Sequence, residues 1–285
     1  MSVFKTNATI AEFGGQLLKL THDSKVTKTP MNVNLYIPPA RTSKIPVVLY
    51  LSGLTCTPDN ASEKSFFQYW ASKYGFAMVF PDTSPRGADI AGENESWDFG
   101  TGAGFYVDAT QQPWSTNYNM YTYVHGELID KLTEAYPELD FSNISITGHS
   151  MGGMGALVGY IRQPRKYKTV SAFAPISNPS VVPWGEKAFG GYLGENKSTW
   201  AEYDPTILIK DYKGDDSSSI LIHQGLNDNF YERELKPQNF VDAAKGYKGG
   251  VDLRLVDGYD HSYFFISSFV EDHAKHHAKY LGLST

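Results

Sequence analysis

The sequence predicts an α/β protein with a mostly parallel central sheet and helices on both faces. Continuous apolar runs at 47–51, 76–80 and 170–174 are typical of strands that are buried on both faces of a parallel sheet. These runs alternate with stretches of helical spacing, which favours a doubly wound sheet. The chain has 285 residues, 41% of them hydrophobic, and no shift in composition marks a boundary, so we expect residues 1–285 to form one domain.

The expected elements begin with a hairpin. Two strand-like runs, 16–22 and 31–38, are joined by a short polar segment, which predicts an antiparallel pair at a sheet edge. After the hairpin we expect strands at 47–51, 76–80, 144–147, 170–174, 220–223 and 251–256 and helices at 62–74, 120–136, 151–162 and 268–281. Two long segments, 82–110 and 178–202, are rich in glycine and aromatic residues. Loops of this length are usually functional, so we expect both to cover the active site.

Charge and cysteine content narrow the classes of function. A net charge of −6 without a basic block argues against nucleic acid as a partner. The single cysteine, Cys56, excludes an internal disulfide and a cysteine-built zinc site, and no His, Asp or Glu spacing resembles a metal site. We therefore expect no metal and no cofactor. Because the first residues do not read as a secretion signal and no run of about eighteen apolar residues occurs, we expect no membrane partner and a cytoplasmic location.

The motif with the clearest chemistry is Gly148-His149-Ser150-Met151-Gly152, a G-x-S-x-G sequence between a predicted strand and a predicted helix. In this context the motif predicts a sharp turn that lifts the Ser150 hydroxyl off the strand end as a nucleophile. The turn also places the Met151 amide at the start of a helix, where unpaired N–H groups favour an oxyanion. The arrangement predicts a hydrolase or acyltransferase that works through a covalent acyl-serine.

A serine nucleophile needs a base within hydrogen-bond reach and an acid that orients the base. In this strand-turn-helix context the chain order is serine, acid, histidine, and both partners follow late strands. Asp228 follows the strand at 220–223, and His261 follows the strand at 251–256. Asp257 and Asp260 are alternative acids, but both lie too close in sequence to His261 to orient it from a separate loop. A turn-capping role for Asp228 is the competing interpretation.

The loop after the strand at 47–51 is expected to supply the second oxyanion donor. Gly53 permits an unusual backbone turn there, and we assign the donor to the Leu54 amide, which acts together with the Met151 amide. Cys56 then lies close to the active site. It is either a small buried hydrophobic residue or a regulatory thiol whose modification blocks acyl binding.

Several blocks of the sequence resemble the S-formylglutathione hydrolases, also called esterase D, a family of α/β-hydrolases. The resemblance extends from about residue 14 to the C-terminus, and it is looser at 225–230. The matching blocks are 51–57 (LSGLTCT), 81–87 (PDTSPRG), 96–106 (SWDFGTGAGFY), 148–153 (GHSMGG), 171–175 (SAFAP), 183–185 (PWG) and 258–263 (GYDHSY).

This resemblance implies a single α/β-hydrolase domain and hydrolysis of S-formylglutathione to formate and glutathione, a step of formaldehyde removal. It also implies a small-molecule glutathione thioester as substrate, a cytoplasmic enzyme and a possible homodimer. A formyl group needs only a small acyl pocket, and we expect the bulky side chains of Trp97, Phe105 and Trp184 to close it. Plain hydrophobic packing is the competing interpretation for each of the three.

Two other functions fit the same residues. The first is a general short-chain carboxylesterase or acyltransferase that uses Ser150, Asp228 and His261 in the same way. The second is a ligand-binding protein on a catalytically silent hydrolase fold, although such proteins usually lose a member of the triad, and here all three are present.

Overall fold

A sheet of nine strands forms the centre of the protein, as a computed structural model shows for residues 2–39, 44–214 and 218–285. The strands are Lys5–Glu12 (β1), Gly15–Asp23 (β2), Pro30–Ile37 (β3), Ile45–Leu51 (β4), Ala77–Pro81 (β5), Leu139–His149 (β6), Tyr167–Phe173 (β7), Ile220–Gly225 (β8) and Val251–Val256 (β9). Their order across the sheet is β1-β2-β3-β5-β4-β6-β7-β8-β9. The pairs β1–β2, β2–β3 and β3–β5 are antiparallel, and all pairs from β5–β4 to β8–β9 are parallel.

The α-helices of the described ranges come after β4 in the chain, and the last of them follows β9. They are Pro58–Lys64 (α1), Phe67–Tyr74 (α2), Met120–Thr122 (α3), Leu128–Ala135 (α4), Met151–Arg162 (α5), Pro183–Leu193 (α6), Lys197–Trp200 (α7), Pro205–Leu208 (α8), Pro237–Ala243 (α9) and Tyr263–Tyr280 (α10). Two π-helical turns occur at Tyr123–Glu127 and Tyr231–Leu235, and short 3₁₀ turns occur at Trp114–Thr116, Pro179–Val181, Ala201–Tyr203, Ile209–Asp211 and Ala244–Gly246.

The predicted mostly parallel sheet with helices on both faces is confirmed. On one side α10 packs against α2 and contacts β7 and β8. In this layer His277 bonds the hydroxyls of Ser145 and Ser171 (both 2.8 Å). On the other side α5 contacts β6 and β7, and Gly159 of α5 lies against His125 in the π-helical turn between α3 and α4.

Strand β1 was not predicted, and the helix predicted at 62–74 is wrong as a single element. Strand β1 forms the sheet edge with most of its side chains in solvent, so it carries no apolar run. The predicted helix is two helices, because Phe66 adopts a left-handed conformation (φ 61°) that ends α1 before α2 begins. The terminal helix begins at Tyr263 rather than Ser268, where the Ser262 hydroxyl caps it by accepting from the Phe264 N–H (3.2 Å).

The parallel half of the sheet positions the candidate site. Strands β4, β6, β8 and β9 all run in the same direction, so the loops that follow them lie at one edge. Ligand sites of open α/β sheets form outside the carboxyl ends of such strands. The four loops contain Leu54, Ser150, Asp228 and His261.

Candidate active site

Ser150 lies in a strained turn between β6 and α5. Its φ is 57° and its ψ is −119°, a backbone conformation that non-glycine residues seldom adopt. Three backbone hydrogen bonds hold it there: the Ser150 N–H donates to the Phe173 carbonyl (3.0 Å), and the Ser150 carbonyl accepts from the N–H groups of Met154 (3.0 Å) and Ile176 (3.2 Å). Such strain persists only where the surrounding structure enforces it, and it is frequent at functional sites. The predicted nucleophile elbow therefore has the expected backbone geometry.

The two glycines of the elbow allow β4 to approach it closely. A Cβ on Gly152 would lie 2.0 Å from the Leu51 carbonyl oxygen, and a Cβ on Gly148 would lie 2.2 Å from the Gly152 carbonyl oxygen. Real Cβ atoms do not approach backbone oxygen so closely. The turn therefore exists only because both positions lack a side chain.

Gly152→Ala is expected to destabilise the folded chain by about 3 kcal/mol, because the added methyl must displace the backbone of β4 rather than a flexible side chain. Urea unfolding midpoints measure the change. Gly126→Ala is the matched control, since nothing lies within 4 Å of a Cβ at Gly126 and no loss of stability is expected there. Equal midpoints for Gly152→Ala and wild type would contradict the close approach.

The predicted oxyanion donors belong to two segments that adjoin Ser150. Met151 begins α5 directly after the nucleophile, and a Cβ on Gly53 would lie 3.2 Å from the Ser150 Cβ, which places the loop after β4 against the elbow. Within the described ranges, the amides of Leu54 and Met151 donate no hydrogen bond to backbone or side chain. Both amides are therefore free to bind an oxyanion.

The segment 82–110 holds the loop that carries Leu54. The Gly102 carbonyl accepts from the Thr55 N–H (2.8 Å), and the Tyr106 hydroxyl donates to the Ser52 carbonyl (2.9 Å). The Cys56 carbonyl accepts from the Thr83 hydroxyl (2.6 Å) and the Arg86 guanidinium (3.1 Å). This long segment thus fixes the oxyanion loop from behind, a role that the sequence did not reveal.

Asp228 and His261 meet as the chain order predicts. The Asp228 carboxylate, whose side chain is fully buried, lies 2.5 Å from His261 Nδ1. Its second oxygen accepts from the Phe230 N–H (2.8 Å), which fixes the carboxylate plane. The alternative acid Asp260 instead accepts from the N–H and hydroxyl of Ser262 (3.0 and 2.6 Å). With Nδ1 bound to Asp228, the Nε2 atom of His261 is left for the serine.

Ser150 and His261 line one cavity of about 190 Å³, called here the Ser150 cavity. Its walls are Gly53, Leu54, Cys56, Trp97, His149, Ser150, Trp184, Phe230, His261 and Tyr263. The set includes Trp97 and Trp184 of the predicted acyl pocket. It does not include Phe105, which is fully buried in the hydrophobic core, where an apolar ring of its size is most stable. The prediction that Phe105 closes the pocket is therefore corrected.

Aromatic rings form one continuous wall of the Ser150 cavity. Trp97 and Trp184 are edge-to-face with centroids 5.6 Å apart, Trp184 and Phe230 are 4.6 Å apart, and Phe230 lies edge-to-face on His261 at 5.1 Å. Sequence reasoning did not identify Phe230 as a wall residue. Its position two residues after Asp228, in the same loop, is the signal from which it could have been predicted. The wall is apolar and leaves little room beside the nucleophile.

Two polar groups of the cavity remain neutral. Burial lowers the pKa of His149 well below its usual value, and the neighbouring His261, with its ring centroid at 4.4 Å, lowers it further. His149 is one of the walls of the Ser150 cavity. Burial raises the pKa of the Cys56 thiol, whose sulfur lies 4.0 Å from the Tyr263 hydroxyl. The regulatory role of Cys56 stays a prediction.

Within the described ranges, no cluster of three or more His, Cys, Asp or Glu side chains is arranged to hold a metal ion. In the same ranges, none of the helices combines the length and apolar character that crossing a membrane requires.

The chain is similar over most of its length to one protein family and to several known proteins. A family described as "Putative esterase" matches residues 24–276. The S-formylglutathione hydrolase of Saccharomyces cerevisiae is 54% identical over 288 residues, a match that covers 95% of this chain and 96% of that protein. The rat protein of the same name is 51% identical and covers 94% of this chain and 95% of its own length. A solved S-formylglutathione hydrolase from Agrobacterium tumefaciens is 44% identical, with a TM-score of 0.94, and covers 98% of this chain and 100% of its own.

The fold and the matched esterase family define the class of protein, a serine hydrolase of the α/β-hydrolase type. Within that class the chain is 44–54% identical to three S-formylglutathione hydrolases over nearly its full length. The chain belongs to the S-formylglutathione hydrolase family.

Proposed function

We propose that the chain hydrolyses the thioester S-formylglutathione to formate and glutathione through a formyl-serine intermediate. The observation that carries the proposal is the hydrogen bond between Asp228 and His261, whose ring lines the same small cavity as Ser150. The 54% identity to an S-formylglutathione hydrolase supports the choice of substrate. Each residue has one role. Ser150 is the nucleophile, His261 is the base, and Asp228 orients the base.

In the first half of the reaction the Ser150 oxygen attacks the thioester carbonyl while His261 Nε2 takes the hydroxyl proton. The carbonyl oxygen becomes an oxyanion, and the free amides of Leu54 and Met151 donate to it. The C–S bond then breaks, and His261 returns its proton to the leaving glutathione sulfur. A thiol leaves more readily than an amine, so little acid assistance is needed.

In the second half, a water molecule gives its proton to His261 and attacks the formyl-serine. The same two amides stabilise the second oxyanion, formate leaves, and the proton returns to Ser150. The Ser150 cavity, about 190 Å³ beside the nucleophile, has room for the formyl thioester between Trp97, Trp184 and Phe230.

The ratio of two kcat/KM values tests the substrate. We expect kcat/KM for S-formylglutathione to exceed that for an aryl acetate by at least about a hundredfold, because the formyl carbonyl carries a hydrogen where acetyl carries a methyl group and is therefore less hindered at the nucleophile. Both are measured at steady state on the same preparation. A ratio near one would overturn the proposal and favour a general short-chain carboxylesterase with the same triad.

Three further features belong to the same proposal. Residues 1–285 form one domain, supported by a sheet whose strands come from both halves of the chain. The segments 82–110 and 178–202 cover the active site, supported by Trp97 and Trp184, which they contribute to the Ser150 cavity. The proposed cytoplasmic location and homodimer are what the family resemblance implies.

A further inference from the structure

The geometry points to a second binding site, in which the glutathione part of the substrate occupies a groove beside the Ser150 cavity and Arg233 binds one of its carboxylates. This inference rests on the function proposed above. The groove, called here the Arg233 groove, has a volume of about 440 Å³. Its walls include Trp97, Trp184, Lys187, Asn229, Phe230 and Arg233.

The size of the Ser150 cavity requires such a second site. Small-molecule sites are typically about 300–1,000 Å³, and the Ser150 cavity of about 190 Å³ lies below that range. It holds the acyl group and the thioester but not a tripeptide. The peptide must therefore extend out of the cavity.

The path out of the cavity follows from its walls. Trp97, Trp184 and Phe230 line both the Ser150 cavity and the Arg233 groove, so the two spaces adjoin across the same three rings. By contrast, the polar cavity lined by Lys19 and Arg86 shares no residue with the Ser150 cavity. A thioester with its carbonyl carbon at Ser150 thus directs its peptide past the aromatic wall into the Arg233 groove.

The acidic groups of the groove are already engaged within the protein. The Glu234 carboxylate is buried, accepts from the Trp184 N–H (2.9 Å) and lies 3.3 Å from Arg233 Nε. Asp98 pairs with Lys187 and accepts from the Ser96 hydroxyl (2.5 Å). A cationic side chain thus compensates the charge of each carboxylate, so the walls of the groove are not acidic overall.

The donors of the groove, in contrast, have capacity to spare. The Arg233 side chain is 75% exposed, and its two terminal nitrogens donate to no atom of the described ranges. Lys187 uses two of its three N–H groups, on Asp98 and on Ser96 (2.7 Å). The exposed Asn229 side chain makes no hydrogen bond within those ranges. The groove therefore offers donors to an anionic ligand.

Glutathione matches this set, because it carries two carboxylates. A guanidinium binds a carboxylate through two parallel hydrogen bonds, and Glu234 leaves the two terminal nitrogens of Arg233 available for that purpose. The same Glu234 carboxylate binds the Trp184 amide, so one buried group orients both the shared wall and the carboxylate-binding residue.

The test measures binding without turnover. The dissociation constant of S-methylglutathione, an unreactive probe, is measured by calorimetry for wild type, Arg233→Ala, Arg233→Lys and the control Arg165→Ala. Arg165 is exposed and is not a wall of the groove, so its variant loses the same charge elsewhere. We expect Arg233→Ala to weaken binding about tenfold, equal to about 1.4 kcal/mol, with partial recovery in Arg233→Lys and no change in Arg165→Ala.

A second probe separates recognition from a structural effect. The dimethyl ester of S-methylglutathione lacks both carboxylates, so wild type should bind it more weakly and Arg233→Ala should cause no further loss. The assignment is overturned if wild type does not bind S-methylglutathione, if Arg233→Ala binds it like wild type, or if Arg233→Ala weakens the diester equally. If Arg233-dependent binding is found in an enzyme whose kcat/KM for an aryl acetate equals that for S-formylglutathione, the Arg233 groove stands and the assignment of S-formylglutathione as the preferred substrate fails.

Discussion

Ser150→Ala is expected to lower kcat for S-formylglutathione by about a millionfold, because the variant has no atom that can form the acyl intermediate. What activity is left comes from the oxyanion donors and from substrate binding alone. Alanine tolerates the unusual φ of 57° as poorly as serine does, so the backbone strain is unchanged. Steady-state hydrolysis at saturating substrate measures the loss, and a thermal unfolding curve confirms that the variant is folded.

Ser268→Ala is the matched control for this experiment. Ser268 is an exposed residue of α10, its hydroxyl bonds only the Phe264 carbonyl of the same helix (2.7 Å), and full activity is expected. A loss of less than about a hundredfold in Ser150→Ala would mean that another group carries out the attack.

Asp228→Asn is expected to lower kcat by about ten-thousandfold with little change in KM. The amide oxygen of the asparagine would keep the hydrogen bond from the Phe230 N–H, so its NH₂ group would face His261 Nδ1. That nitrogen must then accept a hydrogen bond, which puts the imidazole proton on Nε2. In this tautomer Nε2 cannot take the proton of Ser150.

The control for Asp228→Asn is the same substitution at Asp260, which the sequence analysis gave as an alternative acid of the triad. Asp260→Asn removes one negative charge near the same histidine, but Asp260 bonds only Ser262 at the start of α10. We expect Asp260→Asn to stay within about threefold of wild-type kcat. If the two variants lose activity equally, the orienting role does not belong to Asp228.

The triad could be predicted because each member has a local signal. Ser150 lies in a motif whose glycines are required by the close approach of backbone at the turn. Asp228 follows the buried strand β8, and His261 follows β9, whose sequence alternates apolar and polar residues. The amides of Leu54 and Met151 followed from the same strand ends, and the structure leaves both without a partner in the described ranges. Signals of this kind depend only on residues that are close together in the sequence, so they can be read without knowing the fold.

The surroundings of the triad could not be predicted, because they depend on contacts between distant segments. The hydrogen bond from the Thr55 N–H to the Gly102 carbonyl joins the oxyanion loop to the segment 82–110, and no sequence motif near either residue predicts it. The prediction for Phe105 failed for the same reason, because its contacts also depend on distant segments. A large ring in an aromatic segment suggested a pocket wall, but the fold buries that ring completely and uses Phe230, from a loop more than a hundred residues away, instead.

The central claim is that Ser150 carries the formyl group during turnover, and trapping that group tests it most directly. Wild-type protein is mixed with excess S-formylglutathione, quenched in acid within the first turnovers, digested and mapped by mass spectrometry. The account predicts a formyl ester on the peptide that contains Ser150, and no such adduct in Ser150→Ala. A formyl group found instead on Cys56, which lines the same cavity, would contradict it.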